Sequence, residues 1–398
     1  MSIPVPADLR TVHARLPDNP LLMMGAGPTP LPHAVAEANS HIINHLGPSM
    51  NAVIEAVQDM ARYAFQTRAE HVLGISGPAS SAMEMAIANL VGSGSRVLSL
   101  VTGTFSGRLA DMAEGVGAEV VRVTTRLGDA VTVQEVQDAL AQGDFDLVTM
   151  VQGETSTGVY HARIPAITQL VRAHGALMLV DAVCTLTTVP LEMDAWGVDV
   201  VVTGGQKGLA SIPGVSLIAF SDRAWQTVEA RPRPMPHWCL DAQRAWKFWG
   251  HHSYHYTAPV PGILAIHEAL RLICEETLEA RIARHQRCTG ALQAAIEALG
   301  VSLYTPKPHR LGSVLAIQRP DGIDALALRR HMEDHHRVEI AGAFGLDIVR
   351  IGQMGEQCRP RALVRTVRAL GEALVAQGHS ADVAAALGVL EASLGLDE

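Results

Sequence analysis

A chain of 398 residues with 48% apolar content is long enough for two globular domains. Its 31 basic and 40 acidic residues give a net charge of −9 with no basic block able to follow a phosphate backbone, which argues against nucleic acid as a partner. No apolar run is long enough for a membrane span, the N-terminus Met-Ser-Ile-Pro-Val-Pro lacks a basic region followed by an apolar core, and the five cysteines form no Cys-x-x-Cys pair; the reading is a cytoplasmic protein without a zinc site or a disulfide framework.

Residues 1–20 are proline-rich and weakly periodic, as suits an arm lying over another surface. The loop Met24-Gly-Ala-Gly-Pro-Thr-Pro30 follows, then helical periodicity over Ala52–Phe65. His71–Glu84 reads strand, tight loop, helix, and the spacing of Ser81 and Glu84 predicts a capping box at the helix start. Free N–H groups and the dipole at such a start suit an anion, although a plain strand-to-helix turn has the same pattern. Gly92-Ser-Gly94 precedes the strand Val97–Val101, whereas a dinucleotide-binding loop has to follow one, so that reading is rejected. Phe105, at the end of this strand, either stacks on a ligand or packs in the core.

Alternation continues with strand Glu119–Val123, helix Val133–Ala141 and strand Leu147–Val151, after which comes the hydroxyl-rich turn Gly153-Glu-Thr-Ser-Thr-Gly158. Two apolar runs, Leu177–Val180 and Val198–Val202, predict buried parallel strands, each leading to a polar group near its carboxyl end. Those groups are Asp181 and Lys207. The chain has three lysines, Lys207, Lys247 and Lys307, against 28 arginines, and Lys207 sits among glycines and small residues. A lysine kept where arginine is otherwise preferred implies chemistry that needs a deprotonated amine, and Schiff-base formation with pyridoxal phosphate is the leading case. Asp181 is placed to pair with that cofactor's ring nitrogen; a loop lysine and a helix-capping aspartate are the alternative. Cys184 reads as a small buried side chain, with a place at the border of the site as the second possibility.

Further on, three histidines in His251-His-Ser-Tyr-His255 invite a metal reading if His251 and His255 share a helix face, but no carboxylate or cysteine nearby completes a ligand set. Helices Val260–Cys274 and Leu278–Leu299 bridge to a second domain. There, strands near Val301–Tyr304, Ser313–Ile317 and Asp347–Ile351 alternate with helices Asp324–Glu333 and Pro360–Ala376. The domain expectation is an arm over 1–20, a large domain over 21–276 and a small domain over 277–398.

Asp-Ala-Val at 181–183, Gly-Gln-Lys-Gly at 205–208, Gly-Glu-Thr-Ser-Thr-Gly at 153–158 and Arg-Ile-Gly at 350–352 together resemble the class V aminotransferases. Within that family the alanine–glyoxylate and serine–pyruvate enzymes are nearest and the ureidoglycine–glyoxylate enzymes also near. The resemblance implies the α/β fold of type I pyridoxal phosphate transferases: a large domain with a mainly parallel seven-stranded sheet between helices, and a smaller α+β domain. It also implies transfer of an amino group from an amino acid to a small 2-oxo acid, glyoxylate or pyruvate. Ureidoglycine–glyoxylate or pyridoxamine–pyruvate chemistry, or a lyase or desulfurase of the same fold, is the alternative.

Residue by residue, the resemblance makes Lys207 the cofactor-bearing amine and Asp181 the partner of the ring nitrogen. Phe105 would stack on the ring, with Thr155, Val183 and Gln206 as further cofactor contacts. Pro78, Ala79 and Ser80 fall on the phosphate loop, where Pro78 lacks a backbone donor and the Ser80 hydroxyl stands in for an imidazole. Gly25 lies in the loop near the substrate carboxylate, and Arg350 is the residue that forks onto that carboxylate. Tyr254 and Thr257 fall on a Tyr-x-x-Thr pattern that reaches the cofactor phosphate of a partner subunit, which implies a homodimer whose partner also receives the arm. Segments near Gly47 and over Ala341–Asp347 are shorter than in many relatives, and Gly47 precedes Pro48 where ureidoglycine-specific relatives carry glutamine, so substrate identity rests on the loops that differ most.

Overall fold

The computed structural model describes residues 3–17, 20–231, 234–343 and 345–395. Residues 1, 2, 18 and 19 of the expected arm, and residue 344 of the 341–347 loop, lie outside them. The arm residues 3–17 are all exposed and contain one short 3₁₀ turn at His13–Arg15. Among the described residues no helix is long and apolar enough to cross a membrane.

Helix α1 (Pro48–Phe65) precedes a run of alternating elements. These are β1 (Val72–Ser76), α2 (Ala79–Leu90), β2 (Arg96–Val101), α3 (Thr104–Gly115), β3 (Glu119–Thr124), α4 (Val133–Leu140), β4 (Leu147–Val151), α5 (Ile164–His174), β5 (Leu177–Asp181), β6 (Val200–Gly204) and β7 (Val215–Phe220). The seven strands form one sheet in the order β1-β7-β6-β5-β4-β2-β3. All neighbours run parallel except β7, which is antiparallel to β1 and β6. Strands β4, β5, β6 and β7 are buried along their whole length, which is why they read as unbroken apolar runs rather than alternating ones. The register places Asp181 opposite Val151 on one side and Val202 on the other, so the carboxyl ends of three central strands lie side by side.

After β7, helices α6 (Ala242–Trp249) and α7 (Val260–Glu276) pack on the same core as the sheet. Helix α8 (Leu278–Ala298) carries a second core, shared with β8 (Val314–Gln318), α9 (Ala325–His336), β10 (Ile348–Gly352), α10 (Pro360–Ala376) and α11 (Val383–Leu394), and β9 (Ala341–Gly342) edges the small sheet. β10 pairs antiparallel with β8 and β9. Met24 belongs to this second core, and Leu22–Met23 pairs in parallel with Val338–Glu339, so the segment 22–24 docks on the C-terminal unit although the sequence assigns it to the large one.

Three local expectations are corrected. Helix α2 starts at Ala79 with Pro78 as N-cap and no side-chain cap, so Ser81 and Glu84 lie inside the helix instead of forming a capping box. A proline backbone (φ −71°) already suits that end, and Ser81 turns back toward Gly77, where an added Cβ would meet its Oγ at 2.5 Å. Val301–Tyr304 makes one bridge, Leu303 to Ile317, and no strand: left-handed Gly300 before it and Pro306 after it leave too little extended chain. His251 and His255 share no helix face, because α6 ends at Trp249 and the chain then turns through His252 at φ +52°. The His255 ring nitrogen pairs with the Trp238 carbonyl oxygen at 2.9 Å, and no cluster able to hold a metal ion occurs among the described residues.

Candidate active site

Parallel sheets of this kind offer a crevice beyond the carboxyl ends of their strands. Here it is a cleft lined by residues that include Ala79, Ser80, Phe105, Arg108, Gly153, Thr155, Asp181, Val183, Cys184, Gln206 and Lys207. Asp181 is the last residue of β5, and Lys207 follows the end of β6 by three residues, so parallel pairing of the two strands carries both groups into one hollow.

Lys207 sits under two neighbours. Its Nζ is 5.1 Å from the centre of the Phe105 ring, and a Cβ added to Gly27 would lie 3.1 Å from its Cγ. Gly27, at φ +101°, is a site residue the sequence reading passed over in favour of Gly25. Burial holds the Lys207 ammonium below its ordinary pKa, against the opposing pull of Cys184 and Asp181. Burial also pushes Asp181 up to about 6, opposed by the Val183 N–H, which donates to Asp181 Oδ1 at 2.8 Å, and by Lys207. Both shifts have the same root: each group loses more by leaving water than it regains from the other, so the pocket disfavours both charges. Cys184 borders the cleft as a buried thiol that donates to the Gly153 carbonyl at 3.2 Å, with its pKa pushed up to about 12 by burial. A thiol so far from ionisation is a poor nucleophile.

The wall carrying Phe105 is held by a buried carboxylate. Glu154 accepts from the backbone N–H groups of Phe105 (3.1 Å) and Ser106 (2.9 Å), at the start of α3, and from the hydroxyls of Ser106 (2.9 Å) and Ser156 (2.6 Å). It thereby caps the helix, favoured by the dipole, and fixes the ring. Gly103 is required beside it, since a Cβ there would come within 2.6 Å of Glu154 Cγ. The cleft is also lined by the start of α2, whose first amides, those of Ala79 and Ser80, have no protein acceptor among the described residues. Gln206 Oε1 and Thr155 Oγ1 are both buried with no hydrogen-bond partner among the described residues. Two unpaired polar atoms and a free helix start in one cleft fit a phosphorylated, hydrogen-bonding cofactor.

Other expected site residues lie around this cleft rather than in it. Pro78 forms the cap of α2 and, lacking an N–H, gives no donor. The Gly25 carbonyl accepts from Gln357 Nε2 at 2.7 Å and packs beside Gly352. Arg350, on β10, donates from Nη1 to the Thr155 carbonyl (2.6 Å) and from Nε to the Gly342 carbonyl (2.8 Å); its charge reaches Lys207. Tyr254 and Thr257 are exposed and do not line the cleft of their own chain. Arg108, absent from the sequence reading, stands three residues after Phe105 on the same face of α3.

Comparison with known proteins bears on this arrangement. A model of the family described as Aminotransferase class-V matches residues 22–346. The chain belongs to the class V aminotransferases. Alanine–glyoxylate aminotransferase of Felis catus is 33% identical over 362 residues, covering 89% of this chain and 87% of that protein. The crystal structure of alanine–glyoxylate aminotransferase from Nostoc is 35% identical, with a TM-score of 0.88, covering 90% and 96% of the two chains. Ureidoglycine–glyoxylate aminotransferase from Bacillus subtilis is 27% identical with a TM-score of 0.91, covering 96% and 99%. As a class V aminotransferase the protein is a transaminase with the type I fold, and the family implies pyridoxal phosphate as its cofactor.

Proposed function

We propose that this transaminase holds pyridoxal phosphate in the cleft at Lys207 and moves an amino group from an amino acid to glyoxylate or pyruvate. The observation that carries the reading is a buried amine and a buried carboxylate at the ends of adjacent strands, in a cleft where Thr155 Oγ1 and Gln206 Oε1 have no partner among the described residues. Bound pyridoxal phosphate supplies an aldehyde that condenses with amines and a ring that draws electrons from the substrate carbon.

The protein's own groups do the rest. Lys207, its pKa lowered by burial, would be the amine that holds the cofactor and, with the donor bound, would move the proton at the substrate carbon as base and then acid. Asp181 is a buried acid that a ring cation would hold ionised, which keeps the ring nitrogen protonated. Phe105 would stack on the ring, Thr155 and Gln206 would give their unpaired atoms, and Ala79 and Ser80 would offer amides to the phosphate, while Val183 orients Asp181. Arg350 takes the substrate carboxylate, with Gly25 beside it. The names of the relatives support glyoxylate as acceptor, and pyridoxamine–pyruvate aminotransferase of Mesorhizobium loti, 26% identical with a TM-score of 0.90, keeps pyruvate beside it.

The same proposal includes a homodimer in which Tyr254 and Thr257 reach the partner's cofactor phosphate and the arm lies on the partner. Its support is the exposure of both side chains and of the arm's apolar residues Ile3, Val5 and Leu9. A cytoplasmic location agrees with five free cysteines. A panel of amino donors, each mixed singly with the loaded protein, tests the function: a productive donor converts the bound cofactor to its amine form, and glyoxylate or pyruvate returns it. A protein whose spectrum no amino acid changes is not this enzyme.

A further inference from the structure

Arg108 is half-buried in the cleft wall, and among the described residues its guanidinium makes no ion pair. Its neighbours are specific. Nη1 donates to Ser80 Oγ at 3.1 Å, and the guanidinium lies 4.9 Å from the centre of the Phe105 ring. The first contact ties it to the start of α2; the second keeps its plane beside the face that covers the cleft. Two cations, Lys207 and Arg108, line the cleft against one carboxylate, Asp181, which feels both, so the lining carries an excess of positive charge. Beside it are the unpaired amides of Ala79 and Ser80, while Pro78 contributes no N–H. Two amides and one helix start are a thin cradle for a dianion; a guanidinium adds planar, charge-assisted donors at that end.

We propose that Arg108 is a direct ligand of the cofactor's phosphate, supplying the positive charge that this chain's proline-interrupted helix start lacks, with Ser80 Oγ aiming it. The inference rests on the reading that the cleft takes pyridoxal phosphate. It concerns binding and selectivity for the phosphorylated form, not the chemistry at Lys207.

The test compares pyridoxal phosphate with pyridoxal, which lacks only the phosphate, by titrating each into the full-length apo protein. Arg108→Gln is expected to weaken pyridoxal phosphate by about tenfold to a hundredfold, the worth of a charge-assisted hydrogen bond, and to leave pyridoxal within about threefold. Arg108→Lys should recover part of the loss, and inorganic phosphate should raise the melting temperature of the apo wild type but not of Arg108→Gln. Equal losses for both ligands would reduce Arg108 to a structural support of Phe105, and no loss for either would remove it from the site; both results overturn the proposal. Should Arg108→Gln not fold, Arg108→Met fills the same space against Phe105 and carries the same comparison. If the wild type binds neither ligand, the cofactor reading fails instead, which the variants do not decide.

Discussion

The Nζ of Lys207 lies 5.1 Å from the centre of the Phe105 ring, so the amine and the aromatic that would cover a bound ring share one small volume. Glu154 fixes this relationship by gripping the backbone of Phe105 from below. Replacing the ring keeps the amine but removes the flat surface. Phe105→Leu is expected to weaken the cofactor by about threefold to tenfold, the scale of an aromatic contact beyond its buried area. Cofactor titration of the variant checks it, and an unchanged affinity would show that Phe105 only packs.

Gly27 approaches Lys207 from the other side. At φ +101°, with a Cβ position 3.1 Å from Lys207 Cγ, the site excludes a side chain twice over, by backbone and by space. Gly27→Ala is expected to cost about 1–3 kcal/mol of stability from backbone strain alone and to lower turnover by displacing Lys207. Thermal unfolding and steady-state rates measure the two effects. A stable, fully active variant would mean that the loop yields without moving the lysine.

Burial of Asp181 has a signature in pH. With the carboxyl raised from 3.8 to about 6 in the folded apo protein, the folded state binds more protons than the unfolded state between those values, so this group's contribution to stability is lost as pH rises through that window. The loss is at most about 3 kcal/mol, and Asp181→Asn removes it. Apo wild type should therefore lose stability relative to apo Asp181→Asn between pH ~4 and ~6. Parallel stability curves for the two proteins would contradict a buried, proton-retaining Asp181.

The partner contribution has a direct check. Lys207→Ala chains mixed with Tyr254→Ala/Thr257→Ala chains should regain turnover, because a mixed dimer has one site with an intact lysine and an intact tyrosine and threonine. Sedimentation confirms that mixed dimers form. If they form and stay inactive while the double variant alone is impaired, the two residues act within their own chain.

Much of this was legible in the sequence because parallel strands write themselves as apolar runs. Val200–Gly204 and Leu177–Asp181 could be read as neighbours, and with them the meeting of Asp181 and Lys207. What escaped was set by tertiary contact. Ser81 looked like a cap until Pro78 took the helix start, and Gly25 drew attention where Gly27 makes the approach. Arg108 looked like any helix arginine, and its role emerged from the wall it shares with Ser80 and Phe105. The docking of residues 22–24 on the C-terminal core had no local signal, because two-residue strand pairing at long range leaves no pattern in either segment.

The central claim is that one amine of the chain, Lys207, carries the cofactor. Borohydride reduction of the loaded protein followed by peptide mass spectrometry locates the amine that holds the pyridoxyl group. The account predicts a single modified peptide containing Lys207, and none in Lys207→Ala. Modification at Lys247 or Lys307, or normal turnover by a protein modified nowhere, would contradict it.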